Sequence, residues 1–191
     1  MPQLSLEYGL GALRGGQFYQ VDMDEWAYSA NTALATWGAG PCLNVVVHAG
    51  AQGCLSHIWN SSLNQTELYH KACFTIRDMI HNMGIFHGLE IWLGAGHAFG
   101  PDEYLVPEEK AALDFPVYLT AFLGEVGCQG LSIIDNRTDR RWPTDWNPGD
   151  IAYSPPTGKI YLISDRTMSY KESGVYTVQT NQKSPRRGTA R

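Results

Sequence analysis

Two apolar runs separated by a four-residue turn constrain this chain more than any other feature. Leu43-Asn44-Val45-Val46-Val47 is rich in β-branched residues and enters directly from Gly38-Ala39-Gly40-Pro41-Cys42. Such a run fits a pleated, buried surface better than a helix. Gly53-Cys54-Leu55-Ser56-His57-Ile58-Trp59 follows, alternating apolar with small or polar side chains, and Ala49-Gly50-Ala51-Gln52 lies between the two. The pair reads as a β-hairpin. A hairpin cannot bury its own faces, so the chain must supply further layers.

The remaining pattern supplies them. Residues 1–30 read as turns and short extended pieces broken by Gly9, Gly11, Gly15 and Gly16, with a strand at Phe18–Val21. Leu68, Ala72, Ile76, Met79, Ile80 and Met83 recur at three- and four-residue spacing and predict a helix over 64–83. Asn64 with Glu67 suits its start and Gly84 its end. Leu89–Leu93 and Gly130–Asp135 read as strands, and Pro155-Pro156-Thr157-Gly158 as a turn between strands at 151–153 and 159–163. A second helix is expected within 107–123, kinked or divided at Pro116. The order is that of an α+β domain.

Composition narrows the class. The 191 residues suffice for one well-buried domain and are few for two. Six Trp, ten Tyr and six Phe exclude wholesale disorder, while 20 Gly and 10 Pro argue against a helical bundle. The formal charge of −5 excludes a general nucleic-acid binder, which needs a surplus of Lys and Arg. No run approaches the roughly eighteen apolar residues of a membrane span. Met1-Pro2-Gln3 does not open a basic-then-apolar signal peptide. The cysteines at 42, 54, 73 and 128 are scattered without CxxC spacing, as thiols in a reducing compartment would be. A single domain over 1–180 with a solvated basic tail over 181–191 is expected.

Chemistry concentrates around Cys42. A nucleophilic cysteine needs a base and a shaped turn. Gly38-Ala39-Gly40 gives the turn, and a strand mouth would hold the thiol open to substrate, with backbone N–H groups near for an oxyanion. A hairpin turn centred near residue 50 brings Cys42 and His57 to the same end. On spacing alone, a small buried thiol and an unrelated histidine are the better fit. Thr36, six residues before Cys42, is placed to orient the imidazole by hydroxyl or carbonyl.

Other clusters offer less. His70, Cys73, Arg77 and His81 share a helix flank without a carboxylate to complete a metal site. His48 reads as a solvated turn residue, and Gly94-Ala95-Gly96-His97 lacks the lysine of a phosphate loop. Trp142, Trp146 and Arg140-Arg141 form an aromatic, basic loop suited equally to a substrate groove or to turn packing.

Thr36-Trp37-Gly38-Ala39-Gly40-Pro41-Cys42, the strand after it, and Gly53-Cys54-Leu55-Ser56-His57 together resemble the core of the bacterial glutamine deamidase superfamily. That group takes in chemoreceptor glutamine deamidases and deamidating toxins of the cytotoxic necrotizing factor and Burkholderia lethal factor types. The likeness extends in element order over roughly 30–165. It implies a central β-sandwich of mixed sheets flanked by helices. It also implies a cofactor-free, cysteine-dependent protein-glutamine deamidase, with Cys42 as nucleophile, His57 as base, Thr36 as orienting residue and Gly40 with Cys42 shaping the oxyanion site. Trp37, Trp142 and Trp146 are candidates for substrate contact. The implied partner is a target protein bearing the glutamine, met by a monomer in the cytoplasm or by a secreted effector in a host cytosol. The chain departs from the group at Pro41, where Ser or Gly is usual. Proline removes one N–H there and leaves that of Cys42. A thiol amidase acting on peptide or cell-wall amides and a silent protein-binding module are the alternatives.

Overall fold

The computed structural model describes residues 3–8, 18–37, 42–59, 65–95, 115–137, 146–164 and 186–189. The hairpin supplies the two middle strands of a six-stranded sheet. Its strands, β5 (Leu43–Ala49) and β6 (Gln52–Ile58), pair antiparallel about Gly50-Ala51. Gly50 has φ 68 and is the only one of the two turn residues with positive φ, the arrangement of a type II′ turn, whose twist matches the strands.

Two sheets form around it. The first has five strands, β1 (Ser5–Tyr8), β10 (Lys159–Ser164), β9 (Trp146–Ser154), β4 (Ala33–Thr36) and β2 (Phe18–Gln20), in that spatial order. The second has six, β11 (Arg186–Thr189), β3 (Glu25–Ser29), β6, β5, β7 (Glu90–Ala95) and β8 (Ser132–Asp135). Both are mixed: β1–β10, β2–β4 and β7–β8 run parallel and the other pairs antiparallel.

All seven residues of β5 are buried, so both its faces are covered and its sequence is nearly continuous in apolar character. Period-2 alternation sorts them. Leu43, Val45, Val47 and Ala49 join the core under α1 (Gln65–Met83), with Leu68, Ala72, Ile76, Met79 and Ile80. Val46, with Leu55 of β6 and Trp92 of β7, packs on Leu34, Ile151, Tyr153 and Ile160 of the other sheet. The molecule is therefore an α+β sandwich of two mixed sheets. Its two described helices lie on the outer face of the six-stranded sheet, α1 against the strands and α2 (Phe115–Glu125) beside α1.

Several expectations change in the fold. Pro116 stands in the first turn of α2, which begins at Phe115, where its missing N–H has no partner to lose. Residues 107–114 of that expected helix, and the proposed cap Asn64, lie outside the described residues. Gly84 ends α1 as expected, with φ 68 and its N–H donating to Ile80 O at 2.9 Å. Within the segment read as a solvated tail, Arg186–Thr189 forms β11 and pairs with β3. His48 is not in the turn. It lies in β5, 1% exposed, with Nδ1 2.7 Å from the Tyr153 hydroxyl.

Candidate functional site

Thr36 and His57 come from different sheets. Thr36 is the last residue of β4, and alternation turns it with Leu34 toward the sandwich interior. His57 lies in β6, whose backbone is held on both sides, by Glu25 of β3 and Asn44 of β5. Its ring points across the sandwich, where Nδ1 lies 2.7 Å from Thr36 Oγ1. Both side chains are buried, Thr36 at 0% and His57 at 2% exposure. A buried imidazole held at one nitrogen by a hydroxyl has a fixed plane, and with Nδ1–H donating to Oγ1 the other nitrogen presents a bare lone pair. That nitrogen, Nε2, is buried and has no hydrogen-bond partner among the described residues.

Cys42 immediately precedes β5. The hairpin is centred between Gly50 and Ala51, slightly beyond the expected position, so Asn44 and not Cys42 stands directly opposite His57. Cys42 is two residues before Asn44 and so keeps the same face, diagonal to His57. Diagonal cross-strand neighbours have Cα atoms about 7–8 Å apart, with Cβ atoms somewhat closer. The expected grouping of Thr36, Cys42 and His57 at one end of the hairpin therefore agrees with the observed registers. The expected openness does not, because Cys42 is only 3% exposed.

The other proposed site residues separate from this group. Trp37 follows Thr36 but faces the other way. It stacks obliquely on Phe18, with ring centroids 5.1 Å apart, in a cluster with Ala35, Ala152 and Tyr161 on the outer face of the five-stranded sheet. Gly40 and Trp142 lie outside the described residues. Trp146 begins β9, where its backbone pairs with Ser164. On α1, Cys73 is buried in the core while His70 and His81 are exposed, so the flank noted in the sequence does not converge. Asn136 is buried, its Oδ1 accepting from Trp92 Nε1–H at 3.1 Å.

Two residues at the site escaped the sequence reading. Asn44 is a fully buried amide opposite His57 and on the face of Cys42. As the only polar residue within Leu43–Val47, it carried a visible signal. Asp24 gave none, since its contacts depend on a turn that no local pattern announces.

Burial holds the His57 pKa below its ordinary 6.5, opposed by the carboxylates of Asp24 and Asp22. The unfolded chain therefore binds a proton at higher pH than the folded one, and stability rises with pH through that window. His57's contribution is complete above about 6.5 and is lost as pH falls through the folded value. Urea unfolding at stepped pH is expected to show this loss in the wild type and a flatter profile in His57→Gln. Equal slopes in the two proteins would refute the assignment. The chain matches no known family model and no curated protein sequence.

Proposed function

We propose that this protein is a protein-glutamine deamidase with Cys42 as nucleophile, His57 as general acid and base, and Thr36 as the residue that orients the imidazole. The observation that carries the reading is the 2.7 Å Thr36–His57 contact, which leaves a buried, unpartnered Nε2 on the face that Cys42 shares. The sandwich of mixed sheets agrees with the fold that the deamidase resemblance implies.

In this scheme His57 Nε2 takes the thiol proton as Cys42 Sγ attacks the carboxamide carbon. The carbonyl oxygen becomes an oxyanion, received by the Cys42 N–H among the backbone donors near the thiol. Collapse breaks the C–N bond, and His57 returns its proton to the departing ammonia. Water, deprotonated by His57, then attacks the thioester carbon and releases glutamate with the thiol restored. Each proton lent to the imidazole is returned, and no cofactor enters. Because Cys42 and His57 are 3% and 2% exposed, an amide at the tip of an unbranched side chain suits the site better than one in a polypeptide backbone. The product exchanges a neutral hydrogen-bonding group for an anion, enough to disrupt an interface or a catalytic site.

The test is incubation with glutamine-bearing proteins, first those trapped by Cys42→Ser. Ammonia release, with a mass gain of about one dalton at a glutamine and an intact chain, is the expected result, the thioester route being one of nucleophilic catalysis. Cleaved chains would instead identify a thiol amidase. Trapped partners left unaltered by the wild type would identify a binding module, and both outcomes would overturn the proposal. A cytoplasmic regulator and a secreted effector differ in where that target resides. No described helix is long and apolar enough to cross a membrane.

A further inference from the structure

Asp24 occupies an unusual backbone position. It is the only non-glycine residue with positive φ among the described residues, at 61. It lies in the turn joining β2 to β3, where Glu25 N–H donates to Asp22 O at 3.1 Å. Glycine adopts this conformation at least cost, and Asn and Asp follow because a short polar side chain can bond locally. That side chain works through one oxygen. Asp24 Oδ1 accepts from the Trp59 backbone N–H at 3.0 Å and from Lys71 Nζ of α1 at 2.6 Å. The Asp24 N–H donates to His57 O at 2.7 Å. One residue thus grips the chain at His57 and at Trp59, on either side of Ile58.

We propose that Asp24 is a positioning residue for His57, clamping the end of β6 through the His57 carbonyl and the Trp59 amide and placing a negative charge at that strand end. This rests on the Cys42–His57 reading but not on the identity of the substrate. Backbone strain persists where surrounding contacts over-determine it, and here those contacts converge on the strand end that carries the base. The charged or titratable groups around His57 are Asp22 and Asp24 of the turn, Glu25 of β3, the Cys42 thiol before β5, and Lys71 of α1, which reaches it only through Asp24. Asp24 is the one among them whose side chain also holds the end of β6, through the Trp59 N–H.

Two substitutions separate the two roles. Asp24→Asn keeps a carbonyl oxygen for Trp59 N–H and tolerates positive φ, but removes the charge. Asp24→Gly keeps the turn and loses the clamp together with the charge. The readouts are the His57 ring resonances followed by NMR over about pH 4 to 8, exchange protection of the Trp59 amide, and the rate at which iodoacetamide labels Cys42. In Asp24→Asn we expect His57 to titrate at lower pH than in the wild type, with Trp59 still protected. In Asp24→Gly we expect loss of Trp59 protection and labelling about 10- to 100-fold slower, as for a misplaced catalytic group. Unchanged His57 titration in Asp24→Asn, or wild-type Trp59 protection and Cys42 labelling in Asp24→Gly, would overturn the proposal. Failure of the underlying reading is separate: His57→Ala would then leave wild-type Cys42 labelling unaltered, while the His57 titration still reports on Asp24.

Discussion

Cys42→Ala is expected to lower kcat/KM for glutamine deamidation by about 10⁴-fold or more, the scale seen when a covalent nucleophile is removed. The loss should be chemical and not structural. Cys42 lies just outside β5, and trimming one sulfur leaves the Thr36–His57 contact and the hairpin ladder without a changed partner. Far-UV circular dichroism and the urea midpoint should therefore stay close to wild type. His57→Ala should cost nearly as much activity, because a thiol without its base is a poor nucleophile at neutral pH. The double variant should lose little beyond either single one, since the pair acts as a unit. Activity persisting in Cys42→Ala, or fully additive losses, would remove Cys42 from the reaction.

The remaining cysteines make this a selective test. Burial raises the Cys54 and Cys128 thiols above their ordinary range and pushes Cys73 up to about 12. None of the four is in a disulfide. At neutral pH the three others hold almost no thiolate, so residual chemistry in Cys42→Ala cannot be passed to a neighbouring sulfur.

The parts of the fold legible in the sequence are those whose signals are local. β5, β6 and α1 announce themselves because their periodicity runs over seven or more residues, and the turn or cap that ends each is adjacent. β1, β3, β4 and β11 span four or five residues each, too few for alternation to stand out. Their pairing is also distant: β1 lies beside β10 and β11 beside β3. His48 shows the same limit in one residue. A histidine next to a glycine turn reads as solvated, whereas in the fold it is buried and meets Tyr153, 105 residues away.

The site divides likewise. Placing Cys42 and His57 on one face follows from a short antiparallel turn and the period of a strand, both local facts. A slip of one residue in the pairing would have sent the two side chains to opposite faces. The Thr36–His57 contact crosses between sheets, so strand pattern does not encode it; the loop spacing from Thr36 to Cys42 and the resemblance suggested it. Trp37 illustrates the reverse error. It adjoins Thr36 in sequence, but alternation sends it to the far side of the same strand.

Gly94→Ala is expected to destabilise the protein by about 2–4 kcal/mol, an overpacking cost together with weakening of a buried hydrogen bond. Gly94 lies inside β7, where a Cβ would stand 2.0 Å from Trp92 Cη2, 2.6 Å from Cζ3 and 2.7 Å from Cζ2. The benzo ring of Trp92 thus fills the space a side chain at 94 would need, and the indole is fully buried with its Nε1–H committed to Asn136. Moving the ring aside strains that bond, and the neighbour opposite Gly94 is Asn44 of the candidate site. Gly84→Ala is the control: its φ of 68 costs about 1 kcal/mol in an L-residue, but no atom lies within 4 Å of the new Cβ. The colliding atoms all belong to the benzo ring of Trp92, so Trp92→Phe should relieve the clash. Urea unfolding of the double variant Trp92→Phe/Gly94→Ala is then expected to fall short of the summed single losses by about 1–2 kcal/mol. Strict additivity, or a Gly94→Ala loss no larger than that of Gly84→Ala, would show that the indole does not depend on the missing side chain. The predicted coupling would tie the packing of β7 to the face on which Asn44, Cys42 and His57 stand, and Gly94→Ala should then slow deamidation as well as lower stability.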